Sequence, residues 1–339
     1  MSDKLKTYYI KTYGCQMNVS DAERIAGWYE NKGWKLAKSI SEADEIVIVT
    51  CSVRQTAEDR VYGLINNIVR RETKNVRRQR IILTGCMLRY PLRYLKEKLP
   101  QVDEFRKISE FQTGNWKLAI RNSSSHAFVP IMEGCNQFCS YCVVPSARGR
   151  EKSRPFEEII CELKELAKRG YQEITLLGQN VNSYGHNFAK LLREIHRIEG
   201  IKKISFLTSN PWDLTDEIIE AMKLPKIDRY LHLPVQSGDD EILKKMNRKY
   251  TAKQYLKLVE KIKKQIPKIK VGTDIIVGFP GETEKQFKNT LDLCQKVGFV
   301  KAYIAMYSPR LGTAAFKLKD NVSHQEKKRR WKILDDLIN

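Results

Sequence analysis

No uncharged apolar run in the 339 residues reaches the roughly 18 needed to cross a bilayer, so no membrane span is expected. The first twenty residues are polar, and no secretory signal is expected there. No cluster of aromatic residues marks one face of a strand pattern, which argues against a stacking platform for single-stranded RNA. Acidic residues are scarce relative to basic ones, 40 against 61, leaving a net charge of +21. That surplus favours a polyanionic partner, RNA or DNA, through counterion release. A lysine-rich soluble surface is the plainer alternative. Eight cysteines without a secretory signal point to a reducing, cytoplasmic setting and to metal ligation rather than disulfides.

A fourth missing feature is the most informative. The run Cys135-Asn-Gln-Phe-Cys139-Ser-Tyr-Cys142 has the tight spacing of an iron–sulfur motif, yet it stops at three thiols. The next cysteine, Cys161, comes 19 residues later inside a helical pattern, among Glu and Lys neighbours, and reads as incidental. Three thiolates leave one iron of a cubane cluster open, much as a catalytic zinc keeps an open position. A zinc site or buried thiols are the alternatives; zinc usually takes four ligands, and buried cysteines are rarely spaced this closely.

The first third of the chain reads as strand–helix repeats. Thr7 to Tyr13 is a β-rich run ended by Gly14 and Cys15. Ser20-Asp-Ala-Glu23 has the form of a capping box before a helix that stops at Gly33. Ile46 to Val49 is an apolar strand ending at Thr50-Cys51, with a helix over Gln55 to Arg70. Arg80 to Leu83 leads to Gly85-Cys86 and a helix over Leu92 to Leu99. This alternation predicts a parallel sheet covered on both faces, whose ligands gather at the carboxyl ends of the strands. Cys15, Cys51 and Cys86, 36 and 35 residues apart, all occupy that position and point to a second cluster with three protein ligands. Reduced core thiols are the alternative. The charge run from Arg70 to Arg80 is a solvated loop or a nucleic-acid contact. Asn115 to Ser125 reads as a linker, dividing the chain into an α/β domain at 1–122 and a second domain at 123–339.

The second domain shows six β-type runs: Phe128–Met132, Glu173–Leu177, Lys203–Thr208, Tyr230–Val235, Val271–Val277 and Val300–Met306. Helical patterns lie between them. Phe156 to Arg169 has an apolar stripe and a stop at Gly170, and Thr283 to Val297 carries Cys294 as a packing residue. Six βα units suit a partial barrel, and the three-cysteine run follows its first strand, on the edge where barrel active sites lie. The other strand ends carry Gly178-Gln-Asn, Thr208-Ser-Asn, Gln236-Ser-Gly, Gly278-Phe-Pro-Gly-Glu282 and Tyr307-Ser-Pro-Arg310. Singly these are ordinary turns; together they form a candidate ligand pocket.

A partial βα barrel whose first strand feeds CxxxCxxC resembles the radical S-adenosylmethionine superfamily. The preceding three-cysteine domain narrows the resemblance to the methylthiotransferases. It rests on YIKTYGCQMN (9–18), VTCSVRQTAEDRVYG (49–63), EGCNQFCSYCVVPSARGREKSRP (133–155), LLGQNVNSYG (176–185), LHLPVQSG (231–238) and DIIVGFPGET (274–283), and covers nearly the whole chain. LLGQNVNSYG is similar to the branch acting on N6-isopentenyl (dimethylallyl) adenosine beside the tRNA anticodon, at position 37. The branches acting on threonylcarbamoyl-adenosine or on a ribosomal-protein aspartate carry other residues there.

The resemblance implies two [4Fe-4S] clusters and S-adenosyl-L-methionine. Cys135, Cys139 and Cys142 would hold the cluster whose open iron binds S-adenosylmethionine for radical formation. Cys15, Cys51 and Cys86 would hold the auxiliary cluster through which sulfur is delivered. Gly178, Gln179, Asn180, Ser237, Gly278 and Glu282 are the candidate S-adenosylmethionine pocket. The resemblance also implies a tRNA anticodon-loop partner, an electron donor such as a flavodoxin or ferredoxin, and a monomer. A non-catalytic iron–sulfur carrier or RNA-binding module is the remote alternative; a carrier gains nothing from an open iron. Family members usually continue into a small C-terminal RNA-binding (TRAM) β-barrel, whereas this chain ends in a basic helix over Ser323 to Asn339 with Lys327-Lys-Arg-Arg330. Either that domain is absent or the sequence is truncated; RNA binding by the chain as given would rest on the two domains, with Arg148, Arg150, Lys152 and Arg154 as a candidate basic strip.

Overall fold

The computed structural model describes residues 5–72, 78–111 and 125–339. Most of the expected linker at 115–125 and the middle of the 70–80 charge run lie outside the described residues. The chain divides into two compact units, one of residues 1–123 with 146–148, the other of residues 124–145 with 149–339. No described helix is long and apolar enough to cross a membrane.

The first unit is built from β1 (Thr7–Thr12), α1 (Gln16–Asn31), β2 (Lys35–Leu36), β3 (Glu45–Thr50), α2 (Gln55–Glu72), β4 (Arg80–Gly85), α3 (Leu92–Lys98) and β5 (Glu104–Phe105). All pairings are parallel, in the order β2-β1-β3-β4-β5. The sequence predicts three of these strands; β2 and β5 are two-residue edges, too short to carry a period. Strand β3 is central and buried at every position, because helices cover both of its faces. Ile46 and Ile48 pack with Val61, Ile65 and Ile68 of α2. Val47 and Val49 pack with Tyr8 and with Ile25, Ala26 and Tyr29 of α1. Each such aliphatic side chain contributes about 1.5–3 kcal/mol. The expected helix start at Ser20 is wrong. Helix α1 begins at Gln16 with Cys15 in the N-cap position, and Ser20 is buried inside it. Gly14, at φ 116°, ends the strand and turns the chain directly into the helix.

The second unit opens with β6 (His126–Pro130), β7 (Met132–Glu133), α4 (Val144–Arg148), β8 (Lys152–Ser153) and α5 (Phe156–Lys168). It continues through β9 (Glu173–Leu177), α6 (Phe188–Arg197), β10 (Lys203–Phe206), α7 (Asp216–Met222), β11 (Tyr230–His232), α8 (Asp240–Lys245) and α9 (Ala252–Gln265). It closes with β12 (Lys270–Val277), α10 (Glu284–Val297), β13 (Lys301–Met306) and α11 (His324–Ile338). Two three-stranded parallel sheets, β6-β9-β10 and β11-β12-β13, are linked by a parallel bridge between Ile204 and Ile227. The six long strands thus follow one another in space as in sequence, a partial (βα)6 barrel. The α5 stripe of Ile159, Leu163 and Leu166 is buried, Cys161 is exposed, and Cys294 is buried in α10.

The expected basic C-terminal helix is α11, and two of its cations lie inside the unit. Lys327 and Arg330 are buried, with Lys327 Nζ 2.6 Å from Asp320 and Arg330 Nη1 2.8 Å from Glu282. Glu282 also accepts the Gly278 N–H at 2.6 Å. A Cβ on Gly278 would lie 2.3 Å from Lys327 Cγ. The loop 278–282 is therefore the docking point of the last helix. Arg330→Met strands the Glu282 carboxylate in the interior, at a cost of about 3–5 kcal/mol. The expected result is a melting temperature lower by roughly 10 °C, read by calorimetry on the apoprotein.

Candidate iron–sulfur sites

In the second unit, β7 and β8 pair antiparallel and clasp the ends of residues 134–151, which contain the three-cysteine run. Gly134, at φ 78°, leads into it; a Cβ there would meet the Arg150 carbonyl oxygen at 2.1 Å, so glycine is required. Neighbouring elements then pin the run from several sides. The Gly134 N–H donates to Gln179 Oε1 at 2.5 Å, and Ser140 donates through N and Oγ to the Met246 and Lys245 carbonyls at 3.0 and 2.7 Å. Asn247 Nδ2 donates to the Phe138 carbonyl at 2.7 Å.

Each of the three sulfurs receives an N–H. Gln137 N lies 3.4 Å from Cys135 Sγ, Val144 N 3.5 Å from Cys142 Sγ, and Arg248 Nη1 3.6 Å from Cys139 Sγ. Burial, with the thiol of Cys139 beside it, pushes the Cys142 thiol up to about 12. Burial also raises Cys135, opposed by the Gln137 N–H and reinforced by Cys139, Glu151 and Asp213. Three sulfurs that each face an N–H donor are arranged for a cationic group that takes all three as thiolates. Among the described residues, no group of three His, Cys, Asp or Glu side chains is arranged to hold a single metal ion. A polynuclear cluster, which gives each thiolate its own iron, fits this donor set.

The candidate pocket residues separate into two groups. Gly178, Gln179 and Asn180 adjoin the cysteine loop. A Cβ on Gly178 would lie 2.5 Å from Met132 Cγ, and Asn180 donates to Asp213 Oδ2 at 2.7 Å. Asn180 Oδ1, Ser209 Oγ and Trp212 Nε1 are buried without hydrogen-bond partners, three polar atoms on strand-end loops that a polar ligand would satisfy. Ser237, Gly278 and Glu282 lie on other strand-end loops: Ser237 Oγ accepts the Asp239 N–H at 3.2 Å and lies 3.4 Å from Thr290 Oγ1, and 278–282 also hold α11. Asp213 and Arg248 belong to no motif, and sequence reasoning misses both. The basic strip is also broken. Arg154 pairs with Glu162 at 2.6 Å, and the Arg148 side chain is 5% exposed, leaving Arg150 and Lys152 at the surface.

In the first unit, Cys15, Cys51 and Cys86 follow the carboxyl ends of the adjacent strands β1, β3 and β4. A Cβ on Gly14 would lie 2.5 Å from Cys51 Cβ, and one on Gly85 2.6 Å from the Thr50 carbonyl oxygen; the glycines let these ends approach. Asn18 Nδ2 ties β1 to β3 by donating to the Tyr13 and Thr50 carbonyls at 2.6 and 2.9 Å. Arg148, which clusters with this unit, donates to Asn18 Oδ1 at 2.6 Å and pairs with Asp21 at 2.7 Å. Burial raises the thiols of Cys51 and Cys86, Cys15 adds to both, and Arg148 opposes the shift at Cys86. The donor set is again three sulfurs at one sheet edge.

Residues 129–294 match the radical SAM superfamily, and residues 7–106 match the uncharacterized protein family UPF0004. The tRNA-2-methylthio-N(6)-dimethylallyladenosine synthase of Thermoanaerobacter sp. (strain X514) is 44% identical, with 98% of this chain and 78% of that protein covered. The protein of the same name from Clostridium tetani is 43% identical, with 98% and 81% covered. This chain belongs to the tRNA-2-methylthio-N(6)-dimethylallyladenosine synthase family. Among solved structures, the radical S-adenosylmethionine methyltransferase TsrM of Kitasatospora setae, with cobalamin and a [4Fe-4S] cluster bound, superposes with a TM-score of 0.65. At 13% identity, covering 92% of this chain and 77% of that one, this likeness speaks for the fold alone. Family membership carries radical S-adenosylmethionine chemistry and [4Fe-4S] clusters.

Proposed function

We propose that this protein is a radical S-adenosylmethionine methylthiotransferase that converts N6-dimethylallyladenosine in tRNA, at position 37 beside the anticodon, to its 2-methylthio derivative. The observation that carries this reading is the pinned loop 134–151, whose three sulfurs each face an N–H at the edge of a partial barrel, in a chain 44% identical to a synthase of that name. Cys135, Cys139 and Cys142 hold one [4Fe-4S] cluster, and residues 1–122 hold the auxiliary one through Cys15, Cys51 and Cys86. S-adenosylmethionine held at the first cluster would supply, on one-electron reduction, radical chemistry for hydrogen removal at adenine C2, where no acid–base side chain can act. The chain's own residues do the rest. Gln179 fixes the loop through Gly134, and the unmet polar atoms of Asn180, Ser209 and Trp212 bind and orient the polar cofactor. The net charge of +21 draws the tRNA phosphates, with Arg150 and Lys152 among the exposed cations. A small flavodoxin or ferredoxin supplies the electron, and the enzyme acts as a cytoplasmic monomer.

The test is anaerobic. Protein reconstituted with iron and sulfide is given dithionite, S-adenosylmethionine and tRNA bearing N6-dimethylallyladenosine, and digested nucleosides are analysed by mass spectrometry. The expected products are 2-methylthio-N6-dimethylallyladenosine and 5′-deoxyadenosine. Deoxyadenosine without the methylthio nucleoside shifts the reading to another substrate. Neither product, with iron bound at both sites, overturns it.

A further inference from the structure

Most well-enclosed arginines here meet a carboxylate: Arg330 meets Glu282 at 2.8 Å, Arg154 meets Glu162 at 2.6 Å, and Arg148 meets Asp21 at 2.7 Å. Arg248 does not. It lies half-buried just beyond α8, and among the described residues none of its guanidinium's hydrogen-bond partners is a carboxylate. Its guanidinium is nevertheless fixed on every side. Nη2 donates to the Pro234 carbonyl at 2.9 Å, Nε to Tyr250 Oη at 3.1 Å, and Nη1 to Asn210 Oδ1 at 3.3 Å. The Trp212 ring lies 4.6 Å from Cζ and the Tyr250 ring 5.1 Å. These partners are neutral. They hold the plane of the group without answering its charge, and a planar five-donor cation held this way is pre-organised for an anion. The remaining contact is Cys139 Sγ, 3.6 Å from Nη1.

We propose that Arg248 is the positioning residue of the three-cysteine site, fixing Cys139 by an N–H···S bond and placing a cation that makes the reduction potential of the bound cluster more positive. The inference rests on the functional reading above. Cys135 and Cys142 receive backbone N–H groups from residues two positions along the chain, so they are served locally. Cys139 is served by a side chain 109 residues away, and that donor is the one carrying a full charge. One-electron reduction adds a negative charge to the cluster. A cation and a hydrogen bond at a ligand sulfur favour the reduced form, by the same net-charge and hydrogen-bond effects that spread iron–sulfur potentials in general. Trp212 and Tyr250 stack against the cation and hold its plane.

The test is a potentiometric titration followed by electron paramagnetic resonance. It is made in full-length protein carrying Cys15→Ala, Cys51→Ala and Cys86→Ala, so that one cluster titrates. Arg248→Gln in that background is expected to lower the ratio of reduced to oxidised cluster at least tenfold at a fixed potential, a shift of 59 mV or more to the negative for one electron. Arg248→Lys, which keeps the charge but not the planar fork, is expected to shift the ratio by less. Arg248→Met preserves packing on Trp212 and Tyr250 and gives the reading if the glutamine variant fails to fold. An unchanged midpoint in the folded glutamine or methionine variant overturns the inference and leaves the functional reading intact. Failure of the background protein with Arg248 present to take up any cluster overturns the functional reading, and the inference falls with it.

Discussion

Replacing Cys135, Cys139 and Cys142 together by alanine is expected to eliminate 5′-deoxyadenosine formation while leaving the fold in place. Loss on the order of a thousand-fold or more, down to the assay floor, follows because no residue in the barrel offers an alternative route to hydrogen removal from adenine C2. The fold survives because backbone and amide groups, rather than the sulfurs, anchor the loop. Gly134 is held by Gln179, Ser140 by Lys245 and Met246, and the Phe138 carbonyl by Asn247, and none of these bonds involves a thiol. Melting of the apoprotein should therefore move by no more than a few degrees, because these anchoring bonds remain. Iron content after reconstitution should fall to about half, the auxiliary site being untouched. Deoxyadenosine persisting above background in the triple variant would place radical formation at other residues.

How much of this was legible beforehand depends on the distance over which each feature is encoded. The run Ile46 to Val49 predicts a central parallel strand because burial on both faces leaves a continuous apolar string, and β3 is buried at every position. The cysteines are legible as strand-end residues for the same reason: alternation of strand and helix sets the sheet edge before any contact is known. Contacts between distant residues are not legible. Arg248 and Cys139 are 109 residues apart and Arg330 and Glu282 are 48 apart, and no local period joins either pair. Charge was misleading in proportion. The Lys327-Lys-Arg-Arg330 run reads in sequence only as part of a basic helix, yet Lys327 and Arg330 are buried where carboxylates from other segments meet them. Ser20 shows a similar limit. Its capping pattern is real in sequence, but Gly14 at positive φ starts the helix a turn earlier and puts Cys15 at its N-cap.

Replacing Cys15, Cys51 and Cys86 by alanine should give the opposite phenotype. Cleavage of S-adenosylmethionine to 5′-deoxyadenosine should continue, within roughly threefold of the unaltered protein, while the 2-methylthio nucleoside becomes undetectable. The separation is expected because the two thiol sets lie in different compact units with their own cores. Within the first unit, the strand ends stay in place without the sulfurs. Asn18 bonds the Tyr13 and Thr50 carbonyls, and Thr50 Oγ1 donates to the Thr84 carbonyl at 2.6 Å while accepting the Met87 N–H at 3.0 Å. A sheet tied this way loses its ligands without losing its edge, so iron should again fall to about half and the circular dichroism should be unchanged. Liquid chromatography with mass spectrometry on one reaction reads both products at once. Loss of deoxyadenosine together with the methylthio product would mean that the first unit is needed for radical formation itself, and the division of labour between the two cysteine sets would be wrong. Retention of both products would mean that sulfur reaches the nucleoside without Cys15, Cys51 and Cys86, and their convergence at three adjacent strand ends would then be packing alone.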